Sequence, residues 1–136
     1  MARIVAIDYG GRRTGIAATD PLQMIASAVG TVDTRELMDY LKKYCAKEEV
    51  ESFVVGQPMR LNGSPSDIEM EILVFIDKLK EAIPNKPIYR INETYTSKIS
   101  MQALIASGVK KKDRRDKRLL DSVSATLILQ DYLATK

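Results

Sequence analysis

The chain has 136 residues, 45% of them hydrophobic, and a formal net charge of +3, which fits one globular domain with a sizeable core. Because it contains no histidine, Ser-His-Asp and Cys-His triads and the usual zinc sites are excluded. Its one cysteine, Cys45, cannot form an intramolecular disulfide. Any catalysis must therefore use carboxylates, lysine, tyrosine or a metal ion held by oxygen.

The N-terminal stretch predicts a β-hairpin. Residues 4–7 are apolar and predict a strand buried on both faces, which ends at Asp8. Gly10 and Gly11 then permit a tight reversal, because glycine readily takes a positive φ. A second strand over 12–19 is expected to run antiparallel to the first, which places Asp8 at the end of a rigid strand near the middle of a sheet.

The remaining elements follow from apolar periodicity, turn residues and helix caps. The sequence predicts a third strand over 24–32 after a turn at Asp20-Pro21, a helix from an N-cap at Thr34 to Lys47, a strand over 51–56, a helix opened by a Ser66/Glu69 capping box and ended by Pro84, a strand over 88–91, and helices over about 97–107 and about 116–134.

This order predicts an α/β fold with a mixed five-stranded sheet flanked by helices. The first three strands are close enough in sequence for an antiparallel meander, whereas the later strand–helix–strand unit requires parallel pairing. We expect the first and fifth strands to be parallel neighbours, and the whole chain, 1–136, to be a single domain.

Three carboxylates are candidates for a shared site. Asp8 and Glu93 each follow the end of a predicted strand, where ligands of open α/β sheets bind. Asp121 shares a helical stripe with Ala125 and Ile128, so we expect it to face the buried side. Two of them have a structural alternative: Asp8 can cap the turn, and Asp121 can stabilise the first turn of its helix.

Together these carboxylates would repel one another unless they shared cations, which predicts a site for Mg²⁺ or Mn²⁺. Two such ions can activate water and stabilise the leaving oxygen during phosphodiester hydrolysis. We therefore expect Asp8, Glu93 and Asp121 to be both metal ligands and catalytic residues.

A basic segment precedes Asp121. Residues 110–118 contain seven basic and two acidic residues, so the positive charge of the chain is concentrated there. The segment is either a solvated loop or a contact surface for nucleic-acid phosphates, and its position beside Asp121 favours the second interpretation. The residues expected to bind nucleic acid are Arg12, Arg13, Lys110, Lys111, Lys112, Arg114, Arg115, Lys117 and Arg118.

Four motifs spread along the whole chain resemble the YqgF family of the ribonuclease H-like superfamily, whose members are described both as Holliday-junction resolvases and as pre-16S rRNA nucleases. They are Ile7-Asp8-Tyr9-Gly10 with Thr14-Gly15-Ile16-Ala17; Val54-Val55-Gly56-Gln57-Pro58 with Asn62-Gly63; Asn92-Glu93-Thr94-Tyr95-Thr96-Ser97; and residues 121–130 with Tyr132-Leu133. The resemblance implies a ribonuclease H-like fold and a divalent-metal nuclease site at Asp8, Glu93 and Asp121.

One motif departs from the family pattern. After the fifth strand the family usually has Asp-Glu-Arg, whereas this chain has Asn92-Glu93-Thr94. Glu93 is retained, but a neighbouring carboxylate and an arginine are missing, so reduced activity is one expectation and compensation by the basic segment is another.

The resemblance implies a cytoplasmic enzyme that processes the 5′ end of pre-16S rRNA, with nucleic acid and ribosomal particles as partners and no membrane. The alternatives are a resolvase of four-way DNA junctions, which would favour a two-fold dimer over a monomer, and a catalytically weakened RNA-binding module. A third alternative, an ATP-handling protein of the actin-like or sugar-kinase-like class, is supported by Asp8-x-Gly10 with Thr14-Gly15. It normally needs two such lobes, and 136 residues provide one.

Overall fold

The computed structural model describes residues 2–59, 66–92 and 117–135, with backbone only for residues 117–120. The regular elements in these ranges are β1 (Arg3–Asp8), β2 (Arg13–Thr19), β3 (Ala26–Asp33), a 3₁₀ turn (Thr34–Glu36), α1 (Leu37–Lys47), β4 (Val50–Gln57), α2 (Glu69–Ala82), β5 (Ile88–Asn92) and α3 (Lys117–Ala134). The helix predicted over about 97–107 lies outside the described residues. No described helix is both long and apolar enough to cross a membrane.

The strands form one mixed sheet in the order β3-β2-β1-β4-β5. β1, β2 and β3 pair antiparallel, and β4 pairs parallel with both β1 and β5, which confirms the predicted meander and parallel unit. The expectation that the first and fifth strands are neighbours is wrong, because β4 lies between them. β4 is buried along almost its whole length and needs a strand on each side, whereas β5 is largely half-exposed and forms an edge.

Side-chain alternation divides the core into two layers. Val5 and Ile7 of β1 face α1 and α2, whereas Ile4 and Ala6 face α3. All four side chains are fully buried. β1 is therefore covered on both faces, which explains its continuous apolar sequence and makes it a rigid support for the residues at its end.

The hairpin between β1 and β2 needs glycine for a reason other than the predicted one. Neither Gly10 nor Gly11 has a positive φ, and among the described glycines only Gly30 does. A Cβ on Gly10 would overlap the carbonyl oxygen of Arg13. The close approach of the backbone across the turn, and not an unusual dihedral angle, requires glycine at position 10.

Both predicted helix caps are wrong. No side chain caps the 3₁₀ turn or α1, because the Thr34 hydroxyl donates instead to the carbonyl oxygen of Gly10 at 2.6 Å. α2 begins at Glu69 without a side-chain cap, since the Glu69 carboxylate is bound by Arg90 at 2.7 Å. In each case a tertiary partner takes the group that the local pattern assigned to the helix end.

The third strand begins two residues later than predicted, at Ala26. The Asp20 carboxylate accepts hydrogen bonds from the backbone N–H groups of Leu22, Met24 and Ile25 at 3.2, 2.9 and 2.8 Å. These groups are thereby satisfied outside the sheet, which delays the start of the strand.

Candidate functional site

Asp8 is the last residue of β1, the central strand of the sheet. It continues the alternation of Ile4 and Ala6, so it lies on the side of the sheet that α3 covers. The residue is half-buried, in contrast to the fully buried strand before it. The fold thus carries this carboxylate to the C-terminal edge of the sheet, as predicted.

Asp121 reaches the same place from α3. In β2, Gly15 is the residue paired with Asp8, and a Cβ on Gly15 would overlap the carbonyl oxygen of Asp121. The helix backbone therefore rests directly on the glycine that lies beside Asp8. The buried Ala125 and Ile128 continue the contact along α3, so the predicted stripe does face the sheet.

Within the described part of the chain, Arg13 brings a positive charge to this site. Its Nε lies 3.3 Å from Oδ2 of Asp121, and the two side chains are 26% and 27% exposed. Arg13 precedes Gly15 by two residues in β2, so both lie on the α3 side of the strand. Sequence reasoning assigned Arg13 to nucleic acid and missed this ion pair, because no local signal links residues 13 and 121.

The structure describes only some of the other predicted site residues. Glu93 and the segment 110–116 lie outside the described residues, and Lys117 and Arg118 are placed only as the first backbone positions of α3. Asn92, which precedes Glu93, ends β5 at the same edge of the sheet as Asp8. Within the described ranges no three acidic, histidine or cysteine side chains form a metal-binding group.

Two threonines that sequence reasoning did not assign hold the hairpin after Asp8. The Thr34 hydroxyl donates to Gly10 O, so the Thr14 hydroxyl is the donor in its 2.9 Å contact with Thr34. The oxygen of Thr14, which is fully buried, accepts from the N–H of Gly10 at 3.5 Å. The three residues fix the turn against the start of the 3₁₀ segment and so limit movement of the strand end that carries Asp8.

The ends of β4 and β5 are joined by a second network. Arg90 binds both carboxylate oxygens of Glu69, at 2.7 and 3.1 Å, and also the carbonyl oxygens of Val55 and Gly56, each at 3.1 Å. These bonds join α2 to the strand ends on the face opposite α3. The network supports the edge of the sheet and does not itself contact Asp8 or Asp121 in the described structure.

That opposite face also carries a cavity of about 380 Å³ beside the hairpin. Tyr9 lines it and packs against Phe75, with ring centroids 5.2 Å apart. Burial raises the pKa of the Tyr9 hydroxyl, and the nearby Glu71 carboxylate raises it further. Tyr9 therefore contributes an uncharged side chain to the wall of this cavity.

Comparison with known proteins matches residues 2–135 to a family model described as "RuvX: Holliday junction resolvase". The chain is 46% identical over 136 residues to a protein of Flavobacterium johnsoniae named "Putative pre-16S rRNA nuclease", covering 100% of this chain and 99% of the relative. Relatives with the same name occur in Phocaeicola vulgatus (46% identity, 100% and 98% coverage) and Christiangramia forsetii (48% identity over 133 residues, 98% and 98% coverage).

Among solved structures, the chain is similar to T. thermophilus RuvC in complex with Holliday junction substrate. The TM-score is 0.61 at 14% identity, with 99% of this chain and 96% of that chain covered. This likeness confirms the predicted fold class, and the sequence matches confirm the family resemblance that the motifs indicate. They also decide against the actin-like alternative.

Proposed function

Because the chain belongs to the RuvX family, we propose that it is a metal-dependent nuclease that hydrolyses phosphodiester bonds in structured nucleic acid, with the 5′ end of pre-16S rRNA as substrate. The observation that carries the proposal is that Asp8 is paired with Gly15 in the sheet and that the backbone of Asp121 lies against the same glycine. The name shared by the relatives supports the choice of precursor rRNA.

The donor chemistry of this edge fits a hard divalent cation. Asp8 and Asp121 both offer carboxylate oxygens, and both residues are half-buried. We propose Asp8, Asp121 and Glu93 as the residues that hold the metal, Mg²⁺ or Mn²⁺, since these ions prefer oxygen ligands. When bound, the metal would supply an activated water and stabilise the leaving oxygen.

We include Glu93 among the proposed metal ligands because of its position in the sequence. It directly follows Asn92, and it stands two residues after Ile91, which packs in the layer on the α3 side. The basic residues of segment 110–118, together with Arg12, would bind substrate phosphates and orient the scissile bond. Asn92 and Thr94, which stand where the family usually has Asp and Arg, do not remove any of the three proposed ligands.

The test is cleavage of a labelled pre-16S rRNA fragment by the wild-type protein and by the Asp8→Asn and Asp121→Asn variants. Each change removes one charge with little change in volume, so we expect folded proteins whose cleavage rate falls by at least about 100-fold. Asp131→Asn, which changes an exposed aspartate of the same helix α3, is the matched control and should cleave normally. Cleavage that survives complete removal of metal by a chelator, or a fully active Asp8→Asn variant, contradicts the proposal.

A second candidate function is the resolution of four-way DNA junctions, which the description of the family model favours. Symmetric cleavage of two strands requires two active sites related by a two-fold axis, so this activity would appear together with a dimer. Junction DNA and precursor rRNA should therefore be compared at equal enzyme concentration, with the oligomeric state measured in parallel. Binding of either substrate without metal-dependent cleavage would identify a catalytically weakened binding module instead.

The proposal that the chain processes pre-16S rRNA also includes a cytoplasmic location and ribosomal particles as partners.

A further inference from the structure

We propose that Arg13 is an exchangeable counterion of Asp121: it holds the carboxylate in the metal-free protein and moves to a substrate phosphate when a divalent cation binds. This inference rests on the proposed function, because it takes Asp121 as a metal ligand. It makes Arg13 a residue that couples metal binding to nucleic-acid binding.

The ion pair between Arg13 and Asp121 has the features of a weak pair that a bound cation can displace. It is a single contact of 3.3 Å between Nε of Arg13 and Oδ2 of Asp121, and both side chains are more than a quarter exposed. Partly exposed pairs of this kind contribute little to stability, because water screens the charges and also solvates them after separation. A divalent cation that binds the Asp121 carboxylate would compete for the same oxygens and repel the guanidinium.

The position of Arg13 determines where the displaced side chain can go. The residue begins β2 on the α3 side of the sheet, and its backbone lies across the turn from Gly10. It stands two residues before Gly15, the glycine that is paired with Asp8 and contacts the backbone of Asp121. A displaced guanidinium therefore remains at the edge where the scissile phosphate would lie. Its planar set of donors suits two phosphate oxygens at once, a geometry that a lysine cannot reproduce.

Arg12 provides a matched comparison. It is the preceding residue and carries the same charge, but it is exposed and lines a separate cavity of about 320 Å³ with Gly11, Asp33 and Arg35. A change at Arg12 removes one positive charge from the same hairpin without breaking the pair with Asp121. Any effect specific to Arg13 must therefore come from its contact and not from net charge.

Exchange of this kind predicts reciprocal coupling. Metal should strengthen nucleic-acid binding more when Arg13 is present, since the released guanidinium then adds a phosphate contact. By thermodynamic linkage, nucleic acid should strengthen metal binding by the same factor. Without nucleic acid, Arg13 should instead weaken metal binding, because its ion pair must first be broken.

The first measurement is calorimetric titration of Mn²⁺ into the wild type and into Arg13→Gln, Arg13→Lys and Arg12→Gln, all without nucleic acid. We expect Arg13→Gln to bind Mn²⁺ about two- to fivefold more tightly than the wild type, the range that corresponds to a partly exposed ion pair. Arg12→Gln should show at most a small part of this gain, and Arg13→Lys, which keeps the charge, should stay close to the wild type. Equal Mn²⁺ affinities for Arg13→Gln and Arg12→Gln overturn the inference.

The second measurement is the affinity for a labelled pre-16S rRNA fragment with and without Ca²⁺, which should occupy the site without supporting cleavage well. Ca²⁺ should strengthen binding by the wild type several-fold more than binding by Arg13→Gln, whereas Arg12→Gln should lose affinity equally in both conditions. An equal effect of Ca²⁺ on the wild type and Arg13→Gln also overturns the inference. Absence of Mn²⁺ binding by the wild type would instead refute the proposed function, so the two failures are distinguishable.

Discussion

Gly15 and Asp121 are in direct backbone contact, although 106 positions separate them in the chain, and this contact brings α3 onto the end of the central hairpin. Gly15 is paired with Asp8 in the sheet, so one glycine positions both described carboxylates of the candidate site. The absence of a Cβ at position 15 is therefore a requirement of the site as well as of the fold.

Gly15→Ala should damage both stability and activity. The added methyl group would overlap Asp121 O, and backbone atoms cannot yield as a flexible side chain can, so α3 must shift. We expect a loss of about 2 kcal/mol or more in the free energy of unfolding, measured by urea denaturation, and a marked fall in cleavage. Gly11→Ala is the control: its methyl would lie 3.7 Å from Glu71 Oε2, an ordinary contact, and should change stability by no more than about 0.5 kcal/mol. Equal stability of the two variants would contradict this account.

Arg90→Met should destabilise the protein through Glu69. The Glu69 residue is only 8% exposed, and the substitution leaves its carboxylate without the guanidinium that binds both oxygens. We expect a loss of about 2–4 kcal/mol by chemical denaturation, and a partial recovery in the double variant with Glu69→Gln, which removes the buried charge.

The comparison for that prediction is the exposed pair of Arg3 and Glu48, which are 28% and 44% exposed. Glu48→Gln should cost less than about 1 kcal/mol. A cost as large as that of Arg90→Met would show that burial does not set the energies of these two pairs.

Asp20 should contribute a pH-dependent part of the stability. The hydrogen bond from the Ile25 N–H, supported by those from Met24 and Leu22, lowers the pKa of the Asp20 carboxyl below its ordinary value. A lowered pKa in the folded state means that the stabilisation is present above the unfolded pKa and is lost as pH falls through the folded pKa. The difference in unfolding free energy between the wild type and Asp20→Asn should therefore be constant near neutral pH and shrink in acid. Thermal denaturation between pH 7 and pH 2 measures it, and a difference that grows in acid would refute the assignment.

The basic segment predicts a salt dependence. Replacing Lys110, Lys111 and Lys112 with alanine should flatten the slope of log affinity against log salt by about two units, since each phosphate contact contributes roughly 0.7 to 0.9. Cleavage of saturating substrate should change much less, because these lysines are proposed to bind phosphate and not metal.

The matched control for the basic segment replaces three exposed lysines of α1, Lys42, Lys43 and Lys47, which lies on the face of the sheet opposite α3. This variant loses the same charge but should keep the wild-type slope. Identical slopes for both triple variants would indicate that the segment is a solvated loop that does not contact substrate phosphates.

The sequence alone predicted most of the architecture, because its signals are local. A continuous apolar run identified β1, short separations identified the meander, and helical spacing placed α2 and α3 close to their observed bounds. Asp8 was found because it ends the apolar run. Asp121 was found because it is a charged residue on an otherwise apolar stripe of its helix. Each of these inferences needs only residues within one or two turns of each other.

The tertiary structure decided whatever depended on partners distant in the chain. The insertion of β4 between β1 and β5, the pairing of Arg13 with Asp121 and the capture of Glu69 by Arg90 leave no local trace in the sequence. Local patterns assigned Thr34 and Glu69 to helix caps, but stronger or more buried partners took both groups. A polar side chain bonds to the best donor or acceptor that the fold brings within reach, and only the folded chain determines which one that is.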